Sequence, residues 1–315
     1  MPPPAQAAPI ASIQRTLRMT LGFTVERIDD VVLDGPAELL KQNLMSPFAW
    51  REGKDAGLMA LVRAVPPDKG PDDESGRIWY GRSGSDGLVF RMDETPVLVP
   101  SDEGDDALGC EDPTVVQTEA GYAVLYTGVD RRKNGHLLYA TGADMRRLEK
   151  RGVALPNSKG EKNSKEATLL RADDRWQLLY EYSSEGHSLI SLTNGAGPAG
   201  PWDEQPDPFG PRAEKWDSWH LSTGPLLRSD PARPVMFYNG ANKSADWGIG
   251  WVALSPDLRR VTARCDGPLI APPADADGPR DISFAASVVD TEGTIWLYYS
   301  RNDRELKRAT IRQTT

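Results

Sequence analysis

The 315-residue sequence predicts an all-β protein, a five-bladed β-propeller, and three observations lead there. Helical periodicity is nearly absent, while 29 glycines and 26 prolines punctuate the chain as in an array of short strands. One unit, an apolar and aromatic strand, a polar loop and a second strand, recurs at a period of roughly 55–60 residues, the range of propeller blades. Each copy is preceded by a run that begins small or polar and ends aliphatic, the taper expected where blades converge on an axis. A β-sandwich would show evenly spaced strands without this unit.

Taken in order, residues 1–42 form an N-terminal tail and leading segment. The first nine residues lack a basic stretch and a long apolar core, so they are expected to be a short disordered tail rather than a signal peptide. Residues 37–41 would add one helical turn. Residues 43–315 are then a single propeller domain. The strand pairs fall at 57–63 with 77–83, 122–128 with 136–141, 176–182 with 187–192, 235–240 with 249–254, and 295–300 with 306–311. The upstream runs, taken as innermost strands, are 46–50, 111–116, 165–170, 223–227 and 282–289.

The totals narrow the function. A net charge of −9 and a pI near 5.0 argue against a nucleic-acid partner bound through phosphates. Mean hydropathy is −0.50, and no run approaches the ~18 apolar residues of a membrane span, so no membrane partner is expected. Cys110 and Cys265 are too few for a disulfide framework and are expected to be unpaired, with the cytoplasm as the default compartment. His136, His187 and His220 have no metal-ligand spacing, and no phosphate-cradling glycine loop is present, so neither a metal nor a cofactor is expected. The sequence assigns no oligomeric state.

Chemistry gathers at the polar starts of the inner strands. Glu111 and Asp112 precede Pro113 and an aliphatic run, and a carboxyl pair at the mouth of a buried strand is costly unless paired or used. Arg63, Lys165, Glu166, Arg228 and Asp281 belong to the same mouth, joined by Glu181, Asn239 and Asp303 from the ends of second strands. Cleaving a glycosidic bond needs an acid to protonate the leaving oxygen and a base or nucleophile opposite it. Like charges in one site push two carboxyl pKa values apart, which supplies both roles. Trp50, Trp216 and Trp219 are candidate platforms for sugar faces; Trp79, Trp176, Trp251 and Trp296 read as core. The partner this chemistry fits is a small carbohydrate.

Glu111-Asp112-Pro113 followed by Tyr122 and Tyr126-Thr127 resembles glycoside hydrolase family 130, the β-mannoside phosphorylases and hydrolases. Further motifs follow in blade order: Leu61-Val62-Arg63-Ala64, Ser85-Asp86-Gly87, Lys165-Glu166-Ala167-Thr168-Leu169, Gly224-Pro225-Leu226-Leu227-Arg228 with Phe237-Tyr238-Asn239-Gly240, and Tyr298-Tyr299-Ser300-Arg301-Asn302-Asp303. The resemblance spans most of residues 43–311. It implies Asp112 as general acid, Arg63 and Asp303 as holders of the sugar, and Asn43 or Ser46 beside them. Glu111 joins Asp112 as a catalytic candidate, and Tyr238 joins the substrate-binding set. It also marks departures. Thr114 stands where the family has an arginine, Asn239 where it has a histidine, and Glu181 where many members carry arginine. Only Lys165 and Arg228 are left to grip phosphate. The expected activity is therefore hydrolysis of a β-linked mannose-type glycoside with inversion, Glu181 activating water. Phosphorolysis, with inorganic phosphate as co-substrate, is the alternative. A more distant one is a propeller acting on arabinosides or fructosides. A non-catalytic carbohydrate-binding propeller is the alternative of another class.

Overall fold

The computed structural model describes residues 21–314, apart from 54–55, 71–72, 85, 157–160, 173–174 and 273–281 and the side chains of 161, 162 and 172. Ser85 and Asp281 thus lie outside the described residues. The fold is the five-bladed β-propeller. Blade 1 comprises Asn43–Arg51, Leu58–Val65, Arg77–Ser83 and Val89–Met92, with Val32–Asp34 added in parallel on the outside. Blade 2 runs through Gly109–Thr118, Gly121–Val129, Gly135–Gly142 and Glu149–Leu155. Blade 3 runs through Glu161–Ala172, Arg175–Ser184, His187–Gly195 and Trp202–Gln205. A short helix, Ala37–Leu40, precedes blade 1 and buries Leu39.

Blade 4 is broken across its middle into two ladders. His220–Ser222, Asn239–Ala241 and Trp247–Ile249 form one; Leu226–Leu227, Val235–Met236, Val252–Leu254 and Val261–Arg264 form the other. Pro225, which has no N–H to donate, sits at the break. Its carbonyl accepts from Phe237 N at 3.0 Å, and Gly250 N donates to the Tyr238 carbonyl at 2.9 Å, so the halves stay joined. Gly224 is required here, because a Cβ would lie 1.8 Å from the Phe237 carbonyl oxygen.

The second strands are apolar on both faces because each lies between two blades. Leu58, Ala60 and Val62 pack with Val289 and Tyr298 of blade 5, while the alternating Met59 and Leu61 pack with Val124 and Tyr126 of blade 2. Leu125 turns the other way and joins Leu178 and Tyr180 of blade 3; Leu179 joins Met236 and Phe237 of blade 4. The core is thus a ring of inter-blade layers.

Hydrogen bonds from small polar side chains stitch the inner strands together. Thr114 Oγ1 donates to the Ala167 carbonyl at 2.5 Å, and Thr223 and Thr168 link blades 3 and 4 through the Glu166 and Gly224 carbonyls at 2.5 and 2.8 Å. Asn239 accepts from Ala285 N at 2.7 Å, and Ser287 Oγ donates to the Pro47 carbonyl at 2.9 Å. These bonds satisfy buried groups that the converging strands leave open.

The ring closes through the chain's beginning, which moves the expected 42/43 boundary. Gly22–Asp30 pairs antiparallel with Glu305–Thr314 and becomes the outer strand of blade 5, beyond Thr294–Arg301 and Ser283–Thr291. Arg308, 2% exposed, locks the closure: it pairs with Asp29 at 3.0 Å, donates to the Asp86 carbonyl of blade 1, and lies 4.4 Å over Trp296. Cys110 and Cys265 are buried free thiols in blade 2 and just after the last strand of blade 4.

Candidate active site

Three non-glycine residues at the mouth adopt left-handed backbone: Ser46 (φ 50°), Asp112 (φ 48°) and Glu166 (φ 43°). Each marks a register shift in an inner strand, between Met45 and Phe48, Glu111 and Thr114, and Lys165 and Ala167. Such a bulge re-aims a side chain out of the alternating pattern, at a cost of about 1–3 kcal/mol each. Here it points three successive polar side chains into one cavity.

That cavity, of about 730 Å³, is lined by Asn43, Ser46, Arg63, Glu111, Asp112, Lys165, Glu166, Glu181 and Asp303 from the expected set. Arg63 sits at its centre. It donates to the Ser75 carbonyl at 2.9 Å, to Glu111 Oε1 at 2.6 Å and to Asp112 Oδ1 at 3.2 Å. Ser46 Oγ adds a 2.5 Å bond to the same Asp112 oxygen. Lys165 is the register partner of Glu181. Asp303 (φ 50°) projects from the turn between the second and third strands of blade 5.

Three expected site residues are elsewhere, and each has a structural occupation. Arg228 is exposed and donates to the Arg171 carbonyl at 3.0 Å. Tyr238 is fully buried and donates to Asp217 at 2.6 Å. Asn239, also fully buried, bonds the Thr223 carbonyl and the Ala285 backbone. The tryptophans differ as well: Trp50 packs against Tyr80 and Tyr122, Trp216 against Tyr238, and Trp219 against His220. The tryptophan on the cavity wall is Trp247, which stacks on His220 (interplanar angle 6°) and meets Phe284 at 5.4 Å. Its signal was its place just ahead of a strand pair's second member. Lys69 was also missed; it comes from the loop after Val65, where no periodicity operates.

The carboxyls have unequal environments. Burial pushes Asp112 up, but the Arg63 charge and the Ser46 bond outweigh it and hold Asp112 below the usual range. Glu166 is pushed well above its ordinary value by burial, by the Asp112 charge and by Glu181. Asp112 and Glu166 share a hydrogen bond, so the two carboxyls titrate as a coupled pair, with protonation favoured on Glu166. Glu181 is raised by burial, with Lys165 opposing. Burial works against the charges of Arg63 and Lys165, yet the surrounding carboxylates raise both. Among the described residues, no group of three or more His, Cys, Asp or Glu is arranged to hold a metal ion.

No protein-family model matches the chain. It is 25% identical over 266 residues to a 1,2-β-oligomannan phosphorylase from Thermoanaerobacter sp. (strain X514), covering 79% of this chain and 84% of that protein. Among solved structures it is similar to the β-1,2-mannobiose phosphorylase from Listeria innocua, seen with β-1,2-mannobiose, at 17% identity, 91% coverage of each chain and a TM-score of 0.70. A second neighbour comes from glycoside hydrolase family 130 work on hydrolases that target β-1,2 mannosidic linkages in Candida mannan (21% identity, 85% and 84% coverage, TM-score 0.70). A propeller with this axial cavity and these relatives is an enzyme acting on glycosides. These relatives support the resemblance to glycoside hydrolase family 130 that the sequence motifs carry.

Proposed function

We propose that the protein hydrolyses β-linked mannosides, with β-1,2 linkages as the first to test, by a one-step displacement that inverts the anomeric carbon. The observation that carries this reading is three buried carboxyl groups in one cavity with different proton demands. Asp112 delivers to the leaving oxygen the proton stored in its bond with Glu166. Arg63 and Asp303 hold the mannose whose anomeric carbon is attacked, and Glu181 takes a proton from the attacking water. The relatives named for mannobiose and oligomannan supply the sugar class.

Water is favoured over phosphate by charge. Phosphate carries up to two negative charges and needs fixed donors to replace its hydration. Thr114 and Asn239 spend their side chains on backbone groups, and Arg228 lies away from the cavity. Phosphorolysis is the second reading, favoured by the two phosphorylase relatives and by Lys165 and Lys69 on the wall. Incubation with a mannobiose panel, with and without phosphate, decides between them. Free mannose at equal rates in both supports hydrolysis; mannose 1-phosphate formed only with phosphate overturns it.

A further inference from the structure

A second chamber of about 300 Å³ adjoins the cavity and shares Lys69, Glu111 and Lys165 with it. Lys133, from the hairpin between the second and third strands of blade 2, completes a set of three lysines. The carboxylates in its wall are committed: Glu111 is 2.6 Å from Arg63, and Asp73 accepts from Gly70 N at 2.5 Å. Among the described residues, Lys69 and Lys133 have no carboxylate within ion-pair distance. Burial and the charges of Arg63 and Lys133 disfavour the charge on Lys69, with Glu111 and Asp303 opposing them. Ser75, 8% exposed and in the same wall, has a hydroxyl without a partner among the described residues. Three lysines gathered on one wall, in a chain of net charge −9, attract an anion placed among them.

We propose that this chamber binds an anionic group carried by the substrate, a phosphate ester or a carboxylate on the sugar unit next to the one released. The inference rests on the glycoside-cleaving reading above and names the class of glycoside the cavity prefers. Placing the anion in the chamber leaves the neutral mannose among Arg63, Asp303 and Asn43. It also uses cations that the acid and base do not need. A neutral disaccharide in the same cavity leaves Lys69 and Lys133 without an anionic partner.

The test is titration calorimetry of the full-length protein with mannose, mannose 6-phosphate, glucuronate and inorganic phosphate, at low salt and at high salt. The variants are Lys133→Asn and Lys69→Met/Lys133→Asn. Both lysines are exposed, and asparagine tolerates the left-handed backbone of residue 133 (φ 64°). At least one anionic sugar should bind about tenfold more tightly than mannose, and the advantage should shrink at high salt and vanish in the double variant. The sugar phosphate and the uronate arms show which anion the chamber selects. Equal binding of neutral and anionic sugars overturns the proposal. So does inorganic phosphate binding as tightly as the sugar phosphate, with both weakened alike by the variants, because the chamber would then hold free phosphate. Lys133→Asn should cleave neutral mannobiose at the wild-type rate. Failure of the wild type to hydrolyse mannobiose would sink the earlier reading, while the binding arms still decide this one.

Discussion

Asp217 and Asp112 are both buried carboxylates held by arginine, yet they do opposite work. Asp217, fully buried, accepts from Arg212 at 3.1 Å, Arg264 at 2.6 Å and Tyr238 at 2.6 Å, and two cations serve one anion. Arg264 goes on to bond the Gly210 carbonyl and lies 4.7 Å over Phe209. Every charge there is consumed inside the fold. At the mouth the balance is reversed. Arg63 alone is shared between Glu111 and Asp112, protonation is favoured on Glu166, and all four face a cavity. Burial and ion pairing are common to both clusters. Open space and a surplus of carboxylates are what separate a site from a brace.

Substitutions at the two clusters should therefore fail in different ways. Glu181→Gln removes the base and should lower kcat by ~10²–10⁴-fold, the usual scale of general acid–base catalysis, with thermal stability little changed. Asp217→Ala leaves two arginines unpaired and should cost roughly 3–5 kcal/mol of stability. Chemical denaturation of the two variants checks this. A strongly destabilised Glu181→Gln, or an Asp217→Ala as stable as wild type, would erase the distinction.

The pH profile sharpens it further. Glu181 must be ionised to act, and its pKa is raised, so activity should rise through an acid limb displaced above the ordinary carboxylate range. The Asp112–Glu166 proton must be present, so activity should fall through an alkaline limb as that raised pKa is passed. Glu166→Gln leaves the proton to Asp112, whose pKa Arg63 depresses, and the alkaline limb should move to lower pH. An unmoved limb would mean the proton is stored elsewhere.

Smaller effects separate the cavity wall from its surroundings. Trp247→Ala should weaken binding by about 1 kcal/mol, roughly fivefold, if a sugar face rests on it. Arg228→Gln, altering only a surface contact to the Arg171 carbonyl, should change KM and stability within about 0.5 kcal/mol. A large rise in KM for Arg228→Gln would return that residue to the site.

Much of this was legible in the sequence where local pattern controls structure. The second strands announce themselves because each is packed on both sides, so Leu58–Val65 reads as an apolar run broken only by Arg63, and residues 176–182 as one broken by Gln177 and Glu181. The closing strand Gly22–Asp30 was missed because its side chains are mostly exposed and its partner lies at the other end of the chain. Asp112 and Glu166 were found as charges at strand starts and Arg63 through the Leu61-Val62-Arg63-Ala64 motif, but the left-handed bulges that aim Asp112 and Glu166 carry no glycine to reveal them. Tyr238 and Asn239 were misplaced because the break in blade 4 turns them into buried braces, which a motif cannot show.

The central claim is that Asp112 gives a proton to the leaving oxygen, and the nature of the leaving group tests it directly. Rates of Asp112→Asn should be measured on β-1,2-mannobiose and on 2,4-dinitrophenyl β-mannoside, whose phenolate departs without protonation. The account predicts a loss of ~10²–10⁴-fold on the disaccharide and near wild-type turnover of the activated mannoside. Equal losses on both substrates, or wild-type cleavage of mannobiose by the folded variant, would contradict it.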